Sequence, residues 1–486
     1  MSSLKKNFAW NSLLTISGYL FPLLTFPYIT RVLGAENFGK ANFAMSIVDY
    51  AILFSTLGLA TIGYRYIPQC NDDREKREDV FNHLVTLHFI MTGIILVIYT
   101  ICMFLVPQLS SNKTLYFIGA TKIIFNVFLV EWLFQGMQDF KYITLRTILI
   151  RTIYVLSIFI FVRKSEDYDI YFILTIFQVV ANAIINWRRT RRFVLFKFRL
   201  KGCKQYLFPV FSMGINRILF SFYLTFNVIY LGIVCGDFAV GYFSTATRLY
   251  TIFLSFLNAY NGVFVPYLNS LYGRNELGQF KRMIHYSFSI VGFVSIPLVI
   301  VCVLLAPEII RIIAGHGYEA AILPFQIIIF QVFFIGLAQI LENQILLSLK
   351  KFKEVLICTS ICTLLSIIIL LVFTKKYGEV SAAYAVAIPH VLEAILLYYY
   401  AKKSLDFTFP YKEYITHLLV CVPIIVLCIC LKLWLSNYFV LLLIGCGISI
   451  IYYFIIEYYV VKQEMVTTQI DSMLQHTWYR FHKKQP

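Results

Sequence analysis

Ionisable side chains fall inside long apolar runs, among them Asp49, Lys122, Glu131, Arg151, Arg217, Arg248, Glu342, His390, Glu393 and Lys432. A charge at the bilayer centre costs about 2.5–3.5 kcal/mol on insertion scales, so each needs a partner, the interface or a water-accessible surface. Position along the run separates them. Arg151 and Glu131 lie near one boundary and Lys432 near the other, where long side chains reach the interface. Asp49, Arg217, Arg248, Glu342 and Glu393 lie deeper, where a binding role and a structural ion pair are both open. His390 and Glu393 share a helix face at a spacing suited to proton relay. The deep acids are too few to form a metal cage, so no metal is expected. Most of the eleven cysteines also sit in apolar runs, as Cys302, Cys358, Cys362, Cys421 and Cys428 do. Without CxxC pairs or a disulfide framework they act as small hydrophobes.

Neutral polar residues add a second pattern. In the run 41–63, Asn42, Ser46, Asp49, Leu53, Thr56 and Ala60 fall within about 40° of one line at about 100° per residue. Adding 202 gives Ser244, Arg248, Thr251, Ser255, Asn258 and Gly262, again a polar stripe. The turns before them match as well, GAENFG over 34–39 against GDFAVG over 236–241. One helix earlier, Asn11, Thr15, Gly18, Pro22 and Thr25 share a face, and so do Ser212, Asn216, Tyr223 and Asn227 at an offset of about 201. A single Ser, Thr or Asn in a membrane helix usually serves a helix–helix hydrogen bond. Four stripes at repeat-related positions, two of them charged, predict two bundles facing a shared, water-accessible cavity.

The elements that position these residues follow from hydropathy. The chain has 486 residues, 59% hydrophobic and 14% charged, against about 25% charged in soluble domains. Mean hydropathy is +0.75. Apolar runs of about twenty residues predict α-helices crossing about 30 Å of hydrocarbon, near 10–30, 41–63, 83–106, 114–136, 146–163, 169–187, 206–234, 241–266, 284–306, 321–349, 355–374, 380–400, 415–435 and 439–461. The expected fold is therefore all-α, with about 14 transmembrane helices. Six crossings separate the copies, which makes the repeat parallel about an axis along the membrane normal. The expected organisation is a six-helix bundle with a basic linker over 1–205, a second bundle over 206–405, and two extra helices with a tail over 406–486. Connections on one side carry 29 Lys and Arg and those on the other carry 8. The positive-inside rule then puts both termini in the cytoplasm. The formal charge of +17 is thus a topology signal facing membrane lipids, and nucleic acid is not an expected partner. Its densest part, Arg188 to Lys204, is read as a stop-transfer cluster or as a site for anionic headgroups. Lys5 and Lys6 precede an apolar run with no small-residue cleavage site, so a retained first helix is expected rather than a signal peptide. The tail after Val461 is expected to be interfacial or disordered.

These residues carry a resemblance. The chain resembles the Wzx-type O-antigen and capsular polysaccharide flippases, in the polysaccharide-transport branch of the multidrug/oligosaccharidyl-lipid/polysaccharide exporter superfamily. The similar stretches are FPYITRVLGAENFGKANFAMS (26–46), EWLFQGMQDFKYITLRTILIR (131–151) and GDFAVGYFSTATRLY (236–250). The resemblance implies a cargo, an undecaprenyl-pyrophosphate-linked oligosaccharide flipped from the cytoplasmic to the periplasmic leaflet of the bacterial inner membrane. It implies that cationic side chains lining the cavity hold the diphosphate, a task suited to planar guanidinium groups. Arg248 is the first candidate, followed by Arg217, Arg31, Arg65 and Lys122. The polysaccharide polymerase machinery is an implied partner. No G-x-x-x-x-G-K-[ST] sequence is present, so any coupling is expected from an H+ or Na+ gradient, with Asp49, Glu342 and Glu393 as candidate sites, or from downstream consumption of the flipped product. Rivals are a lipid II flippase, a drug/cation antiporter of the same superfamily and a membrane enzyme acting on polyprenyl-linked sugars. The antiporter should prefer an acidic cavity, and the enzyme a large external loop, which this chain lacks.

Overall fold

The computed structural model describes residues 2–461 apart from 71, 72 and 111. The expected interfacial or disordered tail after Val461 lies outside the described residues. Among those described, every long element is a helix. These are α1 (Ser2–Thr56), α2 (Leu59–Tyr66), α3 (Arg74–Leu105), α4 (Pro107–Ser110), α5 (Lys113–Asn126), α6 (Glu131–Gly136), α7 (Phe140–Phe161) and α8 (Tyr168–Thr190). They continue as α9 (Lys204–Cys235), α10 (Asp237–Gly273), α11 (Leu277–Leu304), α12 (Ala306–Ile313), α13 (Ile322–Gln339), α14 (Phe352–Ser404), α15 (Tyr411–Trp434) and α16 (Tyr438–Ile456). Among the described residues, ten stretches are long and apolar enough to cross a membrane. Two of these, Ala9–Thr56 and Phe352–Ser404, have 48 and 53 residues. At about 1.5 Å per residue each is roughly twice a bilayer's hydrocarbon thickness. Each is broken where it must turn, α1 at Gly34 (φ 70°, ψ 172°) and α14 at Gly378 (φ 52°, ψ −131°). Both values lie where a Cβ is penalised and glycine is not.

The chain forms two compact units: residues 1–248, 313–324 and 359–386, and residues 249–312, 325–358 and 387–486. In the first, the later segment of α1 runs antiparallel to α9 along its whole length. The successive contacts are Gly232 on Phe43, Phe226 by Tyr50, and Gly214 by Leu57 and Gly58. The expected crossing 41–63 does not run straight through. It ends at Thr56, Leu57 takes φ 40°, and α2 starts at Leu59. The reason is close approach: a Cβ on Gly58 would meet the Val210 carbonyl and Met213. The expected crossing 114–136 breaks likewise between α5 and α6, at Val130 with φ 32°. An aromatic core of Phe81, Trp132, Phe134, Phe128 and Trp187 fills the basic-loop end of this unit. The basic linker docks there by its main chain, Lys197 N–H donating to Asn82 and Arg199 N–H to Thr86, while the Arg199 side chain pairs with Asp79 at 2.5 Å.

In the second unit α15 packs on α11 and on α16. Tyr414 donates to the Phe288 carbonyl within a ring cluster of Phe288, Phe407 and Phe409. Lys432 reaches Glu308 at 3.1 Å, so its charge is paired rather than merely lifted to the interface. Helix α13 runs into a π-helical turn, Ile340–Leu346. Such turns hold one residue more than an α-turn and often mark functional positions.

Candidate functional site

The two turns that precede the polar stripes, 202 residues apart, have the same backbone. Gly236 has φ 81° and ψ −173°, within about 15° of Gly34 in both angles. Their contact is reciprocal. A Cβ on Gly39 would overlap the Asp237 carbonyl, and one on Gly241 would overlap that of Ala35. Since 35 and 237 are also 202 apart, the two helices cross at equivalent glycines. Small residues permit such backbone contact in membranes.

Below the first turn, Asn42, Ser46 and Thr56 are half-buried and Asp49 is exposed. Lys122 of α5, buried, donates to Asp49 Oδ1 at 2.5 Å and also lies 3.1 Å from Met45 Sδ. Thr56 donates to Asn126 at 3.2 Å, two turns further down. Asp49 and Lys122, expected in different roles, therefore form one ion pair. Removing either partner would strand a charge, the usual reason such pairs persist.

The other expected cations sit elsewhere in this unit. Arg217 is exposed and donates to the Leu57 carbonyl at 3.4 Å, capping the end of α1. Arg31 packs over Gly315 and Arg65 is exposed in the last turn of α2. Arg248 is exposed within electrostatic reach of Tyr154, and among the described residues it has no ion pair or hydrogen bond. Asn11 and Thr15 are exposed, the latter bonded to the carbonyl of the former. Asn227 and Ser244 are buried, and the side chain of Asn216 lies outside the described residues.

The junction 131–151 is a polar knot. Glu131 pairs with Arg146 at 3.3 Å, Arg146 and Tyr142 both donate to Asn186, and Asn186 donates to the Leu129 carbonyl. Arg189 binds Asp139 at 2.7 Å over the ring of Tyr142. Arg151 donates to Ser17 at 2.6 Å, fixing α7 to α1. These charges are consumed by architecture.

In the second unit Thr251 and Asn258 are exposed and Ser255 is half-buried. Amides continue the stripe: Gln339 donates to Asn258 at 2.8 Å, Asn261 to Gln339 at 2.6 Å and Gln344 to Asn261 at 2.8 Å. Ser348 donates to Asn269 at 2.6 Å. Gln339 and Gln344 were not singled out from sequence, although side-chain amides recurring in so apolar a run were the available signal. Glu342, half-buried, lies on the π-helical turn, and Glu393 is buried on α14. Both act electrostatically on the thiol of Cys358, so two of the three expected ion-binding acids share a neighbourhood. A pair absent from the sequence reading lies between α15 and the end of α16: His417 and Glu457, fully buried, meet at 2.7 Å with Tyr453 beside them. No cluster of three or more metal-ligating side chains occurs among the described residues.

At the turn end of the first unit a cavity of about 360 Å³ opens between α1, α4, α5, α8, α9 and α10. Its polar walls are Lys40, Gln108, Asn112, Tyr116, Tyr168 and Asp237. Burial raises the Asp237 carboxyl above its ordinary value, against the opposing Lys40 ammonium.

Known proteins align with this architecture. The family described as polysaccharide biosynthesis protein matches residues 4–272, and the MatE family matches 213–372. A "Putative O-antigen transporter" of Escherichia coli (strain K12) is 27% identical over 83% of this chain and 97% of its own length. One of Shigella flexneri is 22% identical over 81% and 97%. Among solved structures, lipid II flippase MurJ in an inward closed conformation superposes with TM-score 0.75 at 17% identity, covering 91% of this chain and 97% of that one. A MATE crystal structure gives 0.51 at 14% identity, covering 81% and 94%. The family match spans more than half of the sequence, and the chain belongs to the polysaccharide biosynthesis protein family, as a multi-pass membrane transporter and not an enzyme.

Proposed function

We propose that this transporter flips undecaprenyl-pyrophosphate-linked oligosaccharide repeat units from the cytoplasmic to the periplasmic leaflet of the bacterial inner membrane, for assembly of O-antigen, capsule or exopolysaccharide. The observation that carries this is Arg248. Within the length of α10, among the described residues, its guanidinium has no carboxylate or hydrogen-bond partner, while Lys122, Arg146, Arg189, Arg199 and Lys432 all have one. A cation kept open in an apolar chain is costly unless an anion is supplied from outside. A diphosphate, with oxygens spaced for bidentate donors, is such an anion. Arg217 is the next candidate for the same headgroup. The half-buried and exposed Asn, Ser and Thr stripes give hydrogen bonds to sugar hydroxyls, which cannot cross hydrocarbon bare. An open arginine disfavours a cationic drug as cargo.

In this scheme the chain crosses the membrane fourteen times with both termini cytoplasmic, and its two repeat-related halves rock to open alternate sides. Glu342 and Glu393 take the coupling ion, H+ or Na+, and Asp49 holds Lys122. The test is deletion with complementation. Loss of the gene should leave lipid-linked repeat units on the cytoplasmic leaflet and no surface glycan. Normal surface glycan in the deletion strain would sink the proposal.

A further inference from the structure

We infer that the cavity between Lys40, Asn112, Tyr116, Tyr168 and Asp237 is a carbohydrate-binding subsite, separate from the Arg248 position, that receives a sugar of the cargo at the periplasmic mouth. This rests on the flippase reading for the source of the sugar, but the site itself stands on its own chemistry.

The volume, about 360 Å³, lies within the range of about 300–1,000 Å³ typical of small-molecule sites. The walls combine what a pyranose needs. Each sugar hydroxyl both donates and accepts, and a planar carboxylate or amide takes adjacent hydroxyls in pairs. Asp237 supplies a carboxylate that has no hydrogen bond among the described residues, with the Tyr116 ring system within its electrostatic reach. Asn112 supplies an amide, already oriented because its Nδ2 donates to the Tyr168 hydroxyl at 3.3 Å. Tyr168, half-buried, supplies an apolar ring for the C–H side of a sugar, beside the buried Tyr116.

Two features make the site a built one. Lys40 is held beside it by Glu36 at 2.9 Å and lies 5.8 Å from the centre of the Tyr168 ring, so the cation is balanced and does not select a phosphate. Gly232 and Gly236 line the cavity without side chains, and the positive φ of Gly236 opens the corner where Asp237 begins α10. The same turn places Gly39 and Gly241 in contact, so the subsite is set on a rigid crossing.

The experiment uses the full chain in nanodiscs and saturation-transfer NMR. The probes are glucose, galactose and N-acetylglucosamine, and the soluble oligosaccharide released by mild acid from the host's lipid-linked pool. Transfer to ring protons of the oligosaccharide, reduced about tenfold in Asp237→Ala and in Tyr168→Ala, is expected. Transfer to the monosaccharides alone would keep the site and reassign its ligand to free sugar. Asn112→Ala, at the N-terminus of α5, is a second variant should the others fold poorly, and it should also reduce transfer. Absence of transfer to any probe, or equal transfer in all variants, would overturn the subsite. Arg248→Ala should leave this signal intact while abolishing export, so failure of the transport proposal and failure of the subsite are separately visible.

Discussion

The stripe below Gly39 and the stripe below Gly241 enter by the same turn but spend their charge differently. In the first, Asp49 is neutralised by Lys122. In the second, the position equivalent to Asp49 is Thr251, the position equivalent to Ser46 is Arg248, and the helix then changes to amide chemistry through Asn258 and Asn261. Geometry was kept and chemistry was not. The difference separates a charge that holds helices together from a charge that awaits a ligand, and it gives each side a distinct response to substitution.

The largest effect is expected at Arg248. Arg248→Gln should cost about 2–5 kcal/mol of headgroup binding, thirtyfold or more in export, with normal amounts of protein in the membrane. Export at the wild-type rate would erase the distinction between the stripes. Next come the crossing glycines. Gly39→Ala and Gly241→Ala should each destabilise by about 1–3 kcal/mol, read as a lower thermal midpoint in detergent. Gly262→Ala, where a Cβ meets nothing within 4 Å, should be silent. Unequal losses at the two crossing glycines would break their equivalence.

Asp49→Asn should cost about 1–3 kcal/mol by leaving the buried Lys122 ammonium unpaired. Combining it with Lys122→Met should recover part of that loss, and strict additivity would mean the pair does not interact. In the second stripe, Asn261→Ala removes two hydrogen bonds between side-chain amides in a buried position and should cost about 1–2 kcal/mol. Asn258→Ala, exposed, should cost under about 0.5 kcal/mol by the same melt. The smallest effect is at Asp237. Its carboxyl has a raised pKa in the folded chain, so the ionised form weakens the fold at neutral pH. That penalty should fade as pH falls through the raised folded value and vanish below about 3.8. Asp237→Asn should therefore melt slightly higher than wild type at pH 7 and equally at pH 3, and the opposite order would show the carboxylate to be stabilised instead.

Much of this was legible in the residues. The turns, the offset of 202 and the stripes follow from glycine and periodicity, because these are local properties. Partners are not local. Periodicity puts Asp49 on a face but cannot say that Lys122, 73 residues on, meets it. The break at Leu57 was hidden for a similar reason, since the approach of α9 to Gly58 is a tertiary event. Gln339 and Gln344 were overlooked because hydropathy dominated their helix, and His417 with Glu457 because each alone sits near the end of its run.

The reciprocal glycine contact has a historical reading. Counted within each half, position 35 of one meets position 39 of the other, and the reverse also holds. That is the signature of an isologous interface, the kind two identical subunits form around a dyad. A chain half as long, with the same turn, would already own both sides of this junction. The covalent linker holds within one polypeptide a contact that two separate copies could make by pairing.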